Sequence, residues 1–85
     1  MNENIPYGKV HSASQVGQVI RTRRKALGAT QAKVAGLAGV GKRFLSEVER
    51  GKETAQLGET LRVISRLGLE IWLLPRGETP GGSIA

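Results

Sequence analysis

Lys42 and Arg43 stand side by side, Ser46 and Glu47 follow one helical turn later, and Arg50 and Lys52 close the run KRFLSEVERGK. Side chains of these types suit the edges of base pairs and the phosphates between them. A guanidinium such as that of Arg43 can grip O6 and N7 of guanine in a two-pronged hydrogen bond worth about 1–3 kcal/mol of discrimination, while Lys42 can do so more loosely or hold a phosphate. Phosphate contact alone stays open as the role of both. Ser46 can bond a base or a phosphate through its hydroxyl, and Glu47 can accept from a cytosine amino group, steer orientation near phosphates or stay solvated. Arg50 and Lys52, on either side of the turn residue Gly51, can bind phosphate, with ordinary surface charge as the alternative.

No grouping of residues offers catalysis on comparable terms. His11 is the single histidine and cysteine is absent, so neither a metal site nor a Ser–His–Asp arrangement can be assembled. The fragments GKV and GVGK lack the order GxxxxGK followed by Ser or Thr and follow no predicted strand. The expectation is a non-enzyme without metal or cofactor. Thirteen Lys and Arg against seven Asp and Glu in 85 residues give a net charge of +6, which favours a polyanionic partner. One Phe, one Tyr and one Trp make no stacking platform for single-stranded RNA, and duplex DNA becomes the better reading. The first residues lack the apolar core of a signal peptide and no run approaches the ~20 apolar residues of a membrane span, so a cytoplasmic protein with no membrane contact is expected.

Two short helices must position the cations. Thr30 can cap the first with its hydroxyl, Val34, Ala35 and Ala38 recur at helical spacing, and Gly39 supplies the turn. Val40, Leu45 and Val48 form the inward stripe of the second, leaving Lys42, Arg43, Ser46 and Glu47 outward. Small residues at Ala35 and Gly36 fit a steep crossing that demands close backbone approach. Before this pair, Ser12 or Ser14 can cap a helix running to about Leu27, with Val16, Val19, Ile20 and Leu27 on one face and Gly28 as its stop. After it, Leu57, Leu61, Ile64 and Leu67 mark a fourth helix near residues 56–67, ended by Gly68.

The period then changes. LEIWLLP, residues 69–75, is too short for an independent helix, rich in strand formers and stopped by proline, and it predicts a single β-strand. Alternation puts Leu69, Ile71 and Leu73 on one side and Glu70, Trp72 and Leu74 on the other, so both faces are largely apolar. One strand cannot satisfy its own backbone and would be an aggregation hazard alone, so the same strand of a second subunit is the expected mate, with a tail folded over its own helices as the alternative. The organisation expected is a loose arm over residues 1–12, a DNA-binding domain over 13–68, a dimerisation strand over 69–75 and a flexible tail over 76–85. Eighty-five residues leave about 5 kcal/mol of stability or little more, which makes help from a partner subunit reasonable.

TQ opening a small-residue helix, then AGV, then FLSEVERGK resembles the Cro/CI, XRE-type helix-turn-helix family of phage repressors, Cro proteins and bacterial antitoxins, across roughly residues 16–69. The resemblance implies a mainly α, four- to five-helix lambda-repressor-like domain whose helix-turn-helix is formed by helices two and three. The second of these would enter the major groove, in a dimer reading a palindromic operator. It places Gln31 against a DNA phosphate and pairs Arg24 with Glu49 as a structural ion pair. Gly41 departs from the pattern, standing where Ser or Thr usually caps the recognition helix, and Phe44 is unusual for an outward position; packing on a neighbouring helix is favoured for it over a thymine methyl. The fourth helix ending LGL before an apolar strand is similar to HipB-like antitoxins, which implies dimerisation through Leu69, Ile71, Trp72, Leu73 and Leu74, autoregulation as a repressor, and a HipA-type kinase toxin as partner. Two alternatives stay open: a stand-alone transcriptional regulator, and a toxin-neutralising interaction protein with only weak DNA binding, whose apolar tail end at Ile84 and Ala85 could enter a partner pocket.

Overall fold

A computed structural model describes residues 7–78; residues 1–6 and 79–85, with half of the expected arm and most of the expected tail, lie outside the described residues. Four helices follow one another: α1 (Ala13–Ala26), α2 (Gln31–Ala38), α3 (Lys42–Glu49) and α4 (Leu57–Arg66). Side-chain caps begin the first two. Ser12 Oγ accepts from the Gln15 amide at 3.1 Å and Thr30 Oγ1 from the Lys33 amide at 3.1 Å, each satisfying an amide that the first turn leaves without a backbone partner. Gly39, at φ +70°, ends α2 in the left-handed conformation that costs other residues most, and residues 39–41 make the whole turn into α3.

Ile20, Val34, Ala35, Ala38, Leu45, Val48, Val63, Ile64 and Leu67 form one buried core, with Ile20, Leu45 and Val63 entirely out of water. α1 packs on α3, and α2 packs on both α3 and α4. The α1–α3 crossing is close enough that a Cβ on Gly17 would stand 2.3 Å from the Val48 carbonyl oxygen and 2.8 Å from that of Glu49. Gly17 is therefore the small residue that the packing of these helices demands. Gly36, expected in that role, has nothing within 4 Å of its Cβ position and faces solvent, while Ala35 is buried as its spacing requires.

Leucines near helix ends also depart from the expected stripes. Leu27 lies at the C-cap of α1 and is exposed, as are Leu57 and Leu61 on α4, whose core face is instead Thr60, Val63, Ile64 and the capping Leu67. Phe44 is half-buried and packs against the core.

Arginines close the helix ends. Arg62 Nε donates to the Ala38 carbonyl at 3.0 Å and Arg66 Nε to that of Leu37 at 3.1 Å, so one face of α4 caps the C-terminus of α2. Arg23 Nε on α1 donates to the Leu67 carbonyl at 2.8 Å and serves the end of α4 in the same way.

No strand forms among the described residues, and residues 69–75 carry no regular secondary structure. A strand needs a neighbour for its backbone groups, and the described part of this chain supplies none. Leu69 packs against the helical core and Leu74 is half-buried, but Ile71, Trp72 and Leu73 are exposed, Leu73 by 92%.

Candidate nucleic-acid interface

At roughly 100° per residue, Lys42, Ser46, Arg50, Arg43 and Glu47 fall within an arc of about 140° around α3, while Phe44, Val48, Leu45 and Glu49 occupy the opposite side. Burial follows that division: Leu45, Val48 and Glu49 are buried and Phe44 packs on the core, whereas Lys42, Arg43 and Arg50 are exposed. The helix is amphipathic, with a cationic outer face and one carboxylate upon it.

Gly41 precedes the helix as a cap residue with no side-chain hydrogen bond. The first amides of α3 thus have no side chain of the cap residue competing for them, at a helix end whose dipole favours anions. Lys42 opens this turn and lines a shallow depression with Arg24, Thr30, Gln31 and Ala32, at the place where the N-termini of α2 and α3 meet. The structure so gathers Gln31 and Lys42, two of the expected phosphate ligands, around one hollow.

Behind the surface, Arg24 and Glu49 make a two-pronged ion pair, Nε to Oε2 at 2.7 Å and Nη2 to Oε1 at 3.0 Å. Gln31 Nε2 donates to the same Oε1 at 3.0 Å, and Arg24 Nη1 reaches the Ala29 carbonyl at 2.9 Å. One buried carboxylate consequently ties α1, the start of α2 and the end of α3 together. Burial pushes the Glu49 carboxyl up, but the hydrogen bonds from Arg24 and Gln31 and the charges of Arg24 and Arg21 outweigh it and hold it below the usual range. The hydrogen bond to Glu49 outweighs burial in the other direction for Arg24, whose guanidinium is raised. No described buried side-chain nitrogen or oxygen lacks a partner, so the frame under this face is fully satisfied.

Five of the outward residues are engaged with one another, three around Glu47 and two in a Ser46–Arg50 pair. Glu47 Oε1 accepts from Lys52 Nζ at 3.0 Å, and Glu47 Oε2 lies 3.5 Å from Arg43 Nε. Ser46 Oγ accepts from Arg50 Nη1 at 2.6 Å, orienting that guanidinium along the same face.

Sequence reasoning overlooked the carbonyl caps made by Arg23, Arg62 and Arg66. Their partners are 44, 24 and 29 residues distant, so only the docking of α4 on its neighbours could have revealed them. No helix among the described residues is long and apolar enough to cross a membrane.

The helix-turn-helix domain family matches residues 15–71, which spans all four helices apart from the first two residues of α1. An uncharacterised HTH-type transcriptional regulator, y4mF of Sinorhizobium fredii, is 40% identical over 70 residues, covering 82% of this chain and 92% of that protein. Among solved structures, HipB in a HipB–O4 20mer complex superposes with a TM-score of 0.75 at 21% identity, over 82% of this chain and 99% of HipB. HipB in a HipA–HipB–O2–O3 complex gives the same values. The restriction-modification controller protein C.AhdI from Aeromonas hydrophila superposes with a TM-score of 0.62 at 31% identity, over 68% of this chain and 88% of that one. The relatives are regulators rather than enzymes, and the chain belongs to the helix-turn-helix family of DNA-binding transcriptional regulators.

Proposed function

We propose that the protein is a sequence-specific repressor that binds a palindromic operator as a homodimer. The observation that carries this reading is the outer arc of α3. Lys42, Arg43, Ser46, Glu47 and Arg50 share it, the rest of the helix is buried or packs on the core, and the Arg24–Glu49–Gln31 network fixes it to α1 and α2. Arg43 and Lys42 are the base-reading candidates, and Gln31, Arg50, Lys52 and the Gly41 turn are the phosphate-holding ones. Dimerisation rests on residues 69–75. Ile71, Trp72 and Leu73 are large, apolar and exposed, and pairing these segments about a two-fold axis would satisfy their backbone and cover them.

The HipB complexes extend the proposal to an autoregulating antitoxin that also binds a HipA-type kinase toxin, since the same fold occurs there with O4 DNA and with HipA. A plain regulator without a toxin is the second reading. It is favoured by C.AhdI, a controller protein with higher identity to this chain than HipB has. Footprinting on DNA from upstream of the protein's own gene tests the first reading. Two symmetric protected half-sites about 34 Å apart, or a multiple of that, are expected. A single protected half-site, or none, contradicts a palindrome-reading dimer. Pull-down from the native host, with the full chain and with the chain truncated after residue 76, separates the two readings: a co-purifying kinase supports the antitoxin, and its absence in both supports the stand-alone regulator.

A further inference from the structure

Glu47 is the one carboxylate on the outer arc of α3, and it sits between the two cations flanking it. Its side chain is 25% exposed against 91% for Arg43, so the carboxylate lies at the base of the arc and the guanidinium at its rim. Lys52 Nζ is 3.0 Å from Oε1 and Arg43 Nε 3.5 Å from Oε2. The Lys52 hydrogen bond, helped against partial burial by the charges of Lys52 and Arg43, keeps the carboxyl ionised below its usual range.

A DNA phosphate and this carboxylate therefore compete for the same two cations. Phosphates occur along every duplex, whatever its sequence. When Lys52 and Arg43 move to phosphate or to guanine, Glu47 is left facing the DNA without its counter-charges. It regains a partner only where a base edge presents a donor, which in the major groove means the amino group of cytosine or of adenine. Guanine O6 and N7 and thymine O4 are acceptors and repel it. Arg50 provides the contrast on the same face, because the neutral Ser46 hydroxyl holds it and leaves no charge behind.

Building on the DNA-binding reading above, we propose that Glu47 is a specificity-determining residue: it opposes the contacts of Arg43 and Lys52 on duplex of arbitrary sequence and stops opposing them where a cytosine or adenine amino group meets its carboxylate. The glutamate would weaken binding everywhere and weaken it least at the correct site.

The test uses the full chain and duplexes selected from a randomised library by the wild-type protein, compared with a scrambled duplex. Glu47→Gln is expected to bind the scrambled duplex about 3- to 10-fold more tightly and to lower the ratio of selected to scrambled affinity by a similar or larger factor. Its log-affinity against log-salt slope should steepen by about one, as one more cation becomes free to neutralise phosphate. In a Lys52→Gln background the gain from Glu47→Gln should shrink, whereas in an Arg50→Gln background it should persist. An unchanged or weakened affinity for the scrambled duplex with an intact ratio overturns the role of Glu47 and leaves the DNA-binding reading standing. Failure of the wild-type protein to select any motif, with no salt-dependent binding, overturns both.

Discussion

Glu49 is the residue on which the frame behind the outer face of α3 turns. Its carboxylate is buried and takes two hydrogen bonds from Arg24 and one from Gln31. Removing one partner of such a pair strands the other charge, so Arg24→Ala should lose about 3 kcal/mol of stability. In a domain of this size that lowers the thermal midpoint by more than about 10 °C in circular dichroism melts, and an unchanged midpoint contradicts a structural pair. Acid should act through the same group. The Glu49 carboxyl is held below its ordinary value of 4.5 in the folded chain, so between the two values the unfolded chain binds more protons and stability rises with pH. The contribution is fully present above that ordinary value and is lost as pH falls through the lower, folded one. The thermal midpoint should fall less steeply below about pH 4 in Glu49→Gln than in the wild-type protein, and equal slopes would contradict the assignment. At this scale the sequence spoke through resemblance, which paired Arg24 with Glu49 and singled out Gln31. That Gln31 bonds Glu49 inside the protein, and that Glu47 is shared by Lys52 and Arg43, depends on side-chain conformations that spacing alone does not determine.

Four helices could be read from caps and periodicity because each signal is local: Ser12 and Thr30 at starts, Gly39 at a stop, Val34, Ala35 and Ala38 on one face. The close approach of α1 to α3 at Gly17 could not. Gly17 lies inside α1, where glycine is ordinarily a weakness, and its meaning comes from the Val48 carbonyl on a helix far along the chain. Alanine usually stabilises a helix interior by about 0.5–1 kcal/mol relative to glycine, and Gly36→Ala, with open space around it, should gain about that much. Gly17→Ala should instead lose about 3 kcal/mol or fail to fold, since a backbone oxygen 2.3 Å away cannot step aside as a side chain would. Denaturant unfolding of the two variants checks the opposite signs. A stabilised Gly17→Ala would mean that α1 and α3 do not cross this closely. The misplaced leucines have a similar origin: Leu57 and Leu61 continue a legible stripe on α4, yet docking turned the neighbouring stripe through Thr60, Val63 and Leu67 inward.

At the scale of the molecule, +6 overstates what faces a partner at close range. Arg23, Arg62 and Arg66 are bound to carbonyls and Arg24 to Glu49, so four cations are engaged within the chain, whereas Lys42, Arg43, Arg50 and Lys52 lie on and just after α3, the proposed DNA-binding face. Two such sets in a dimer would make about eight phosphate or base contacts, and affinity should fall about 1,000-fold or more between 50 and 200 mM salt. In the proposed dimer the segment over residues 69–75 forms the interface. Its apolar composition was plain in the sequence, whereas the strand expected there does not form in the single chain. Trp72, the single tryptophan, is half-exposed in one chain and should become shielded in a dimer, giving emission that shifts to the red on dilution. Leu73→Asp should yield a monomer by sedimentation that binds operator DNA at least tenfold more weakly; a dimer indifferent to this change would place the interface elsewhere. The most direct test of the whole account is affinity for duplex DNA from upstream of the protein's own gene, against a scrambled duplex, with Arg43→Ala alongside. Selective binding by the wild-type protein, with selectivity lost in the variant while the fold is kept, is the predicted result. Equal binding of both duplexes by the wild-type protein, or undiminished selectivity in Arg43→Ala, would contradict reading of DNA by the outer arc of α3.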